Sequence, residues 1–239
     1  MESAEDSAVV LLPTYQPGGH LPELADGIRA ARAGTAVVVV DDGSDPAAAP
    51  MLTAVAGLGC TVLRHPVNRG KGAALKTGFR HIAAAYPGRD VVCADADGQH
   101  SVADVLRVAD RTRDAGRAVL GVRRFAHMPL RSRIGNTATR LLFRAATGRR
   151  VGDTQTGLRG FPGELLGWLG SVPGEGFDYE MNVLLYASRR GLPFDEITIA
   201  TTYLDDNASS HFDPVGDAAR IYWRLLRFAV SSRAPARVR

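Results

Sequence analysis

Cysteine is close to absent from this chain of 239 residues, which has only Cys60 and Cys93. Each sits inside an apolar, strand-like run, so both read as buried thiols, and a disulfide framework or a cysteine-built zinc site is excluded. Lysine is as rare: Lys71 and Lys76 stand against 27 arginines. No apolar run reaches the roughly 18–20 residues that a membrane-spanning helix needs. The opening MESAEDSAVV lacks the basic and apolar regions of a secretion signal, which leads to the expectation of a cytoplasmic protein. Internal repeats and low-complexity linkers are missing too. With 45% hydrophobic and 23% charged residues, the composition excludes a disordered or fibrous chain.

The formal net charge of +4 is unevenly spread. Residues 123–150 carry eight arginines and no acid, and after Asp217 six arginines follow with no further acid. Such clusters meet nucleic acid, membrane phosphates or anionic substrates, and charge alone does not choose. No nucleic-acid recognition motif accompanies them.

Short β-branched runs alternate with amphipathic stretches of helix length, the pattern of a parallel α/β sheet. Strands are predicted over 8–12, 36–40, 60–64, 90–94 and 118–122, with Pro13 stopping the first. Helices are predicted over 21–33, 51–57, 73–86 and 102–115. Beyond Val122 the expectation is an arginine-rich helix over 129–147, a polar loop entering a strand at 153–161, and a helix over 177–190. A strand over 194–201 and a last helix over 215–231 follow. The whole chain is expected to form one domain, with a nucleotide-binding half over about 8–122, an acceptor-side half over 123–212, and a C-terminal helix and basic tail over 213–239.

Open parallel sheets bind ligands at the carboxyl edge of their strands. Two acidic clusters fall there: Asp41/Asp42 and Asp95/Asp97. Side chains two apart in an extended segment point the same way, so Asp95 and Asp97 can share a cation. Hard oxygen ligands suit Mg²⁺ or Mn²⁺, commonly shared with substrate phosphates. Gln99 and His100 stand next in line for that shell. Asp and Gly after a strand are also ordinary turn formers, and for Asp41/Asp42 taken alone that reading stays open.

Six segments occur in order: Pro13-Thr-Tyr15, Val40-Asp-Asp42-Gly-Ser44, Asn68-Arg-Gly-Lys71-Gly, Asp95-Ala96-Asp97-Gly-Gln99-His, Asp153-Thr-Gln-Thr-Gly-Leu-Arg159 and Gly176-Phe-Asp178-Tyr-Glu180. Together they resemble family 2 glycosyltransferases of the GT-A fold, a Rossmann-like, mostly parallel sheet with helices on both faces. The dolichyl-phosphate mannosyltransferase and polyprenyl-phosphate glucosyltransferase branch is the nearest in pattern.

The resemblance implies a nucleotide-sugar donor, with Pro13, Tyr15, Val40 and Asp42 lining the nucleoside pocket. It implies that Asp95, Ala96 and Asp97 form the DxD element, that Asp95, Asp97 and Gln99 hold Mg²⁺ or Mn²⁺, and that Arg123 meets the donor phosphates. On the acceptor side it implies roles for Arg131, Ser132, Arg133, Arg159 and His211, with Asp153, Asp178 and Glu180 as candidate catalytic carboxylates. Carboxylates also favour a helix start, which gives Glu180 a purely structural alternative. The Gly-Lys-Gly loop lacks phosphate-loop spacing and reads as structural.

Two departures leave UDP-sugars open beside GDP-mannose. No Arg or Lys occurs in the stretch 203–212, and Pro17 stands where the family carries Glu. The implied acceptor is a polyprenyl phosphate, with a hydroxyl on a polysaccharide or small metabolite as the alternative and a non-catalytic nucleotide-sugar sensor as a third reading. Arginines gathered on one face of 220–230 and of 129–145 suit peripheral membrane contact, and equally suit helices packed on the domain with their arginines outward.

Overall fold

The computed structural model describes residues 7–123 and 130–200. Seven strands form one sheet: β1 (Val9–Thr14), β2 (Val37–Asp41), β3 (Thr61–Arg64), β4 (Val91–Cys93), β5 (Ala118–Arg123), β6 (Arg159–Phe161) and β7 (Phe194–Ile199). The helices are α1 (His20–Ala31), α2 (Ala49–Gly57), α3 (Lys71–Ala85), α4 (Val102–Ala115), α5 (Leu130–Thr147), α6 (Leu166–Ser171) and α7 (Asp178–Arg189). The strand order is β3-β2-β1-β4-β6-β5-β7. Only β6 runs against its neighbours; it is antiparallel to both β4 and β5.

Alternation along the strands divides the core in two. Val10 and Leu12 of β1 and Val37 and Val39 of β2 pack beneath α1, α2 and α4. Val9, Leu11, Val38 and Val40 face the other way, beneath α3, α6 and α7. Burial on both faces explains the unbroken valine run of β2. A smaller cluster joins Phe143 of α5 to Met181, Leu184 and Leu185 of α7.

Pro13 does not stop β1, which continues to Thr14 with Pro13 opposite Val40. In β1 the odd-numbered amides point toward β4 and the even ones toward β2, as Val9 and Val10 show. Strand β4 ends at Cys93, opposite Leu11. Pro13 therefore lacks its donor on the side where no strand remains to accept it. The sheet opens at that point, between β1 and the residues that follow β4.

Helix α4 begins and ends on strong local signals. The Ser101 hydroxyl accepts from the Asp104 amide at 3.1 Å, and Gly116 closes the helix in the left-handed conformation. Helix α3 starts at Lys71, two residues earlier than expected, and α6 was not foreseen. The C-terminal helix and basic tail lie outside the described residues, as does His211.

Candidate active site

The residues after β2 are tied inward. Asp41 is buried, with Arg64 Nε 2.9 Å from its Oδ2 and the Ser44 amide donating to its Oδ1 at 3.1 Å. Asp42 Oδ1 pairs with His65 Nδ1 at 2.7 Å and accepts from the Arg69 amide at 3.0 Å. Its Oδ2 accepts from the Gly70 amide at 2.7 Å. Asp42, expected at a base or ribose, makes three bonds within the chain. They fix the turn that launches α3. Pro13 and Val40 are buried strand residues, and the Val40 side chain belongs to the packed core rather than to an open pocket.

Beside them, Tyr15 is half-buried and Gln16 has φ of 51°, the one positive φ on a residue other than glycine among the described residues. Gln16 holds this pose with two bonds: its amide donates to Ser44 Oγ at 2.7 Å and its Nε2 to Asp45 Oδ2 at 2.7 Å. Such a conformation costs on the order of 1 kcal/mol and persists where neighbours over-determine it. Nothing in the sequence singled out Gln16.

After β4 the chain presents Asp95, Ala96 and Asp97, all half-buried. Lys71 Nζ lies 2.6 Å from Asp95 Oδ1 and 3.0 Å from Glu180 Oε2. Gln99 holds Asp97 through its amide at 3.1 Å and its Nε2 at 2.9 Å. Burial drives the Asp97 carboxyl upward and the charge of Asp95 adds to it. Burial works on Asp95 in the same sense, but Lys71 and other cations outweigh it and hold the group below the usual range. His100 is buried next to both, with its imidazole pushed down by desolvation and Nδ1 lacking a partner.

A divalent cation fits this donor set: two hard carboxylates face one another's charge, and an ammonium already stands against one of them. Among the described residues no three His, Cys, Asp or Glu side chains gather closely enough to cage a metal alone. The arrangement suits a cation whose remaining ligands come from substrate.

At the end of β5, Arg123 and Asp153 bind each other. Arg123 Nε meets Asp153 Oδ2 at 2.6 Å, and Nη2 meets Oδ1 at 3.1 Å. Asn136 Nδ2 donates to Oδ1 at 2.7 Å, and the Gln155 amide at 3.0 Å. Full burial of Asp153 would raise its pKa, but the Arg123 hydrogen bonds and charge bring it below the ordinary value. Asn136 also receives the Thr154 amide, and Thr139 and Thr154 share a hydroxyl contact at 2.8 Å, so α5 is docked on this turn.

Arg159 is 2% exposed. Its Nε donates to the Thr156 carbonyl at 2.8 Å, Nη1 to Glu180 O at 2.8 Å and Nη2 to Thr154 O at 3.3 Å. The Arg159 side chain is a brace between the 153–158 turn and α7. Gly157 in that turn passes so close to Asp95 that a Cβ would stand 2.0 Å from Asp95 Oδ2.

The strand order, with its single antiparallel strand β6, is that of the GT-A fold. A family-wide sequence profile, Glycosyl transferase family 2, matches residues 9–161. The chain belongs to that family. Among its relatives, the UDP-N-acetylglucosamine–dolichyl-phosphate N-acetylglucosaminyltransferase of Methanococcus voltae is 30% identical over 173 residues, 69% of this chain and 67% of that protein. An uncharacterised protein of Methanocaldococcus jannaschii is 31% identical over 180 residues, 72% of each chain. Among solved structures, glucosyl-3-phosphoglycerate synthase from Mycobacterium tuberculosis, in complex with Mn²⁺, UDP-glucose and phosphoglyceric acid, superposes with a TM-score of 0.73. The identity is 20%, and 96% of this chain and 82% of that chain are covered. At that identity the likeness speaks for the fold.

In this glycosyltransferase, then, Asp95, Asp97, Gln99, Lys71 and Glu180 converge at the opened end of the sheet. Four of the expected residues have partners within the chain: Asp42 holds the α3 turn, Val40 packs in the core, Asp153 pairs with Arg123, and Arg159 bonds the carbonyls of Thr154, Thr156 and Glu180. Arg123, expected at the donor phosphates, grips Asp153 with two of its donors. Asp178 is buried in the first turn of α7 and turned toward the backbone at Gly174. Arg133 is exposed on α5, while the side chains of Arg131 and Ser132 lie outside the described residues. The loop of Lys71 lacks phosphate-loop spacing, and the sequence signal for this residue is the rarity of lysine in an arginine-rich chain.

Proposed function

We propose that this family 2 glycosyltransferase is a metal-dependent, inverting enzyme that moves one sugar from a nucleotide-sugar donor to a polyprenyl phosphate. The observation that carries the acceptor class is the commitment of its carboxylates. Asp153 is fully buried against Arg123, and Glu180 is engaged by Lys71. A hydroxyl acceptor needs a base to remove its proton, whereas a phosphate oxygen is already ionised. The lipid-phosphate acceptor in the name of the Methanococcus voltae relative supports the same reading.

Asp95 and Asp97, with Gln99 holding Asp97, would bind Mg²⁺ or Mn²⁺ together with the donor diphosphate. When bound, such a cation neutralises charge that develops on the departing nucleoside diphosphate. The acceptor oxygen attacks the anomeric carbon from the face opposite the leaving group. The new C–O bond forms as the bond to the diphosphate oxygen breaks, and that oxygen keeps the electron pair. Tyr15 and the strained Gln16 turn stand where the sheet opens, placed to shape the nucleoside end.

A lipid acceptor calls for contact with a membrane surface. No helix among the described residues is long and apolar enough to cross a membrane. The exposed face of α5 carries Arg133, Arg144 and a Leu141 that is 61% exposed, a set suited to peripheral attachment to anionic headgroups at the cytoplasmic face.

Incubation with UDP- and GDP-sugars, Mn²⁺ or Mg²⁺, and either undecaprenyl phosphate or 3-phosphoglycerate tests the reading. Nucleoside diphosphate release with the lipid phosphate is expected. Release only with the hydroxyl acceptor overturns the acceptor class, and release with neither overturns the transferase mechanism.

A further inference from the structure

We propose that Lys71 is an internal competitor for the divalent cation: its ammonium holds Asp95 while the metal is away and is left with Glu180 when the metal arrives. This rests on the reading of Asp95 as a metal ligand and adds a positioning residue that this reading does not contain.

Lysine is an odd choice where Lys71 stands. It is the first residue of α3, at the positive end of the helix dipole, where a cation is disfavoured. Two carboxylates compensate, Asp95 at 2.6 Å and Glu180 at 3.0 Å, and the Phe177 ring lies 5.7 Å from the ammonium. The side chain is only 14% exposed, so these contacts are sheltered from water.

Neither Asp95 nor the backbone under Lys71 is free to yield. Gly157 crowds Asp95 Oδ2, leaving the carboxylate no room to swing to that side. Before Lys71, the Gly70 amide is bound by Asp42; after it, the Ala73 amide donates to Glu175 O at 3.0 Å. The part that can move is the four-carbon lysine stem, whose ammonium pivots without moving the helix. Glu180 supplies the second seat. One cation shared by two carboxylates leaves the trio with a single negative charge. Arrival of a divalent ion at Asp95 turns the remainder into a neutral Lys71–Glu180 pair.

The arrangement makes opposite demands on two variants. Lys71→Met removes the competitor, and Glu180→Gln removes the second seat, leaving Lys71 more firmly on Asp95. Simple loss of charge gives the same signs, but only competition makes the Glu180 effect depend on Lys71.

Calorimetric titration of the full chain with Mn²⁺ alone, without nucleotide, separates the cases. Lys71→Met is expected to tighten Mn²⁺ on the order of tenfold, a typical size for coupling between sites. Glu180→Gln is expected to weaken it, and in the Lys71→Met background the Glu180→Gln effect should vanish. Unchanged or weaker binding by Lys71→Met overturns the proposal, as does an equal Glu180→Gln effect in both backgrounds. If Lys71→Met does not fold, Lys71→Gln takes its place, because it retains a hydrogen-bond donor for Asp95, and the same outcomes apply. Mn²⁺ binding of equal strength in every variant overturns the role of Lys71 and leaves the metal site standing. No Mn²⁺ binding by any variant, with or without UDP, overturns both.

Discussion

Arg123 and Asp153 close a two-pronged ion pair at 2.6 and 3.1 Å across the gap between the end of β5 and the turn before β6. Asp153 has no exposed surface and Arg123 very little. Removing one partner leaves the other charge buried and unpaired, which typically costs about 3–5 kcal/mol. Arg123→Met is therefore expected to lower the urea midpoint sharply. The double variant Arg123→Met/Asp153→Leu should recover much of the loss, because no charge is then stranded. Equal stability of the single and double variants would show that the pair does not act as a unit.

The same pair sets a pH dependence. The folded-state pKa of Asp153 lies below its unfolded value, so its contribution to stability is fully present above the unfolded value of about 3.9. It is lost as pH falls through the folded value. Asp153→Asn should therefore be less stable than the parent by a constant amount from neutrality down to about pH 5, with the difference shrinking below about pH 4. Urea unfolding at a series of pH values reads this directly. A difference that widens in acid has the wrong sign.

The alternating strands and helices to residue 122 were legible because each carries its own periodicity, and the two acidic clusters because they follow strands. Side-chain direction was not. Asp42 and Asp97 both follow a strand in an acidic pair, yet Asp42 is consumed by the amides of residues 69 and 70. That loop returns beside it only after β3 has formed. Arg159 was expected at the acceptor only because the family resemblance implies it, and that resemblance says nothing of where the side chain turns. The three carbonyl partners of Arg159 come from a turn and a helix that meet only in the folded chain. Lys71 was hidden for the same reason: its two partners are 24 and 109 positions away in sequence.

Asp97 separates function from folding. Its carboxyl is half-buried beside Asp95, and the raised pKa marks a charged form that the fold disfavours. Asp97→Asn keeps the shape and removes that repulsion. The variant is expected to equal or exceed the parent in thermal midpoint while losing roughly 10²-fold or more in turnover, the scale seen when one electrostatic support of a transition state is removed. Nucleoside diphosphate release and a melting curve on one sample check both halves. A variant that is active, or inactive only because it has unfolded, contradicts the assignment.

Arg159 offers the complementary case, a residue expected to act on stability and not on acceptor binding. Its guanidinium satisfies the carbonyls of Thr154, Thr156 and Glu180 and locks the turn carrying Gly157 beneath Asp95. Arg159→Lys keeps the charge but cannot reach three divergent carbonyls from one ammonium, so buried acceptors go unpaired at about 1–3 kcal/mol each. The variant should unfold at lower urea. At a temperature where it remains folded, its KM for the acceptor should match the parent. Turnover should fall modestly, because Gly157 and Asp95 lose a fixed support. A KM for acceptor raised tenfold in a fully folded Arg159→Lys sample would instead place Arg159 against the acceptor, and the inward geometry of its three bonds would then describe only the unliganded chain.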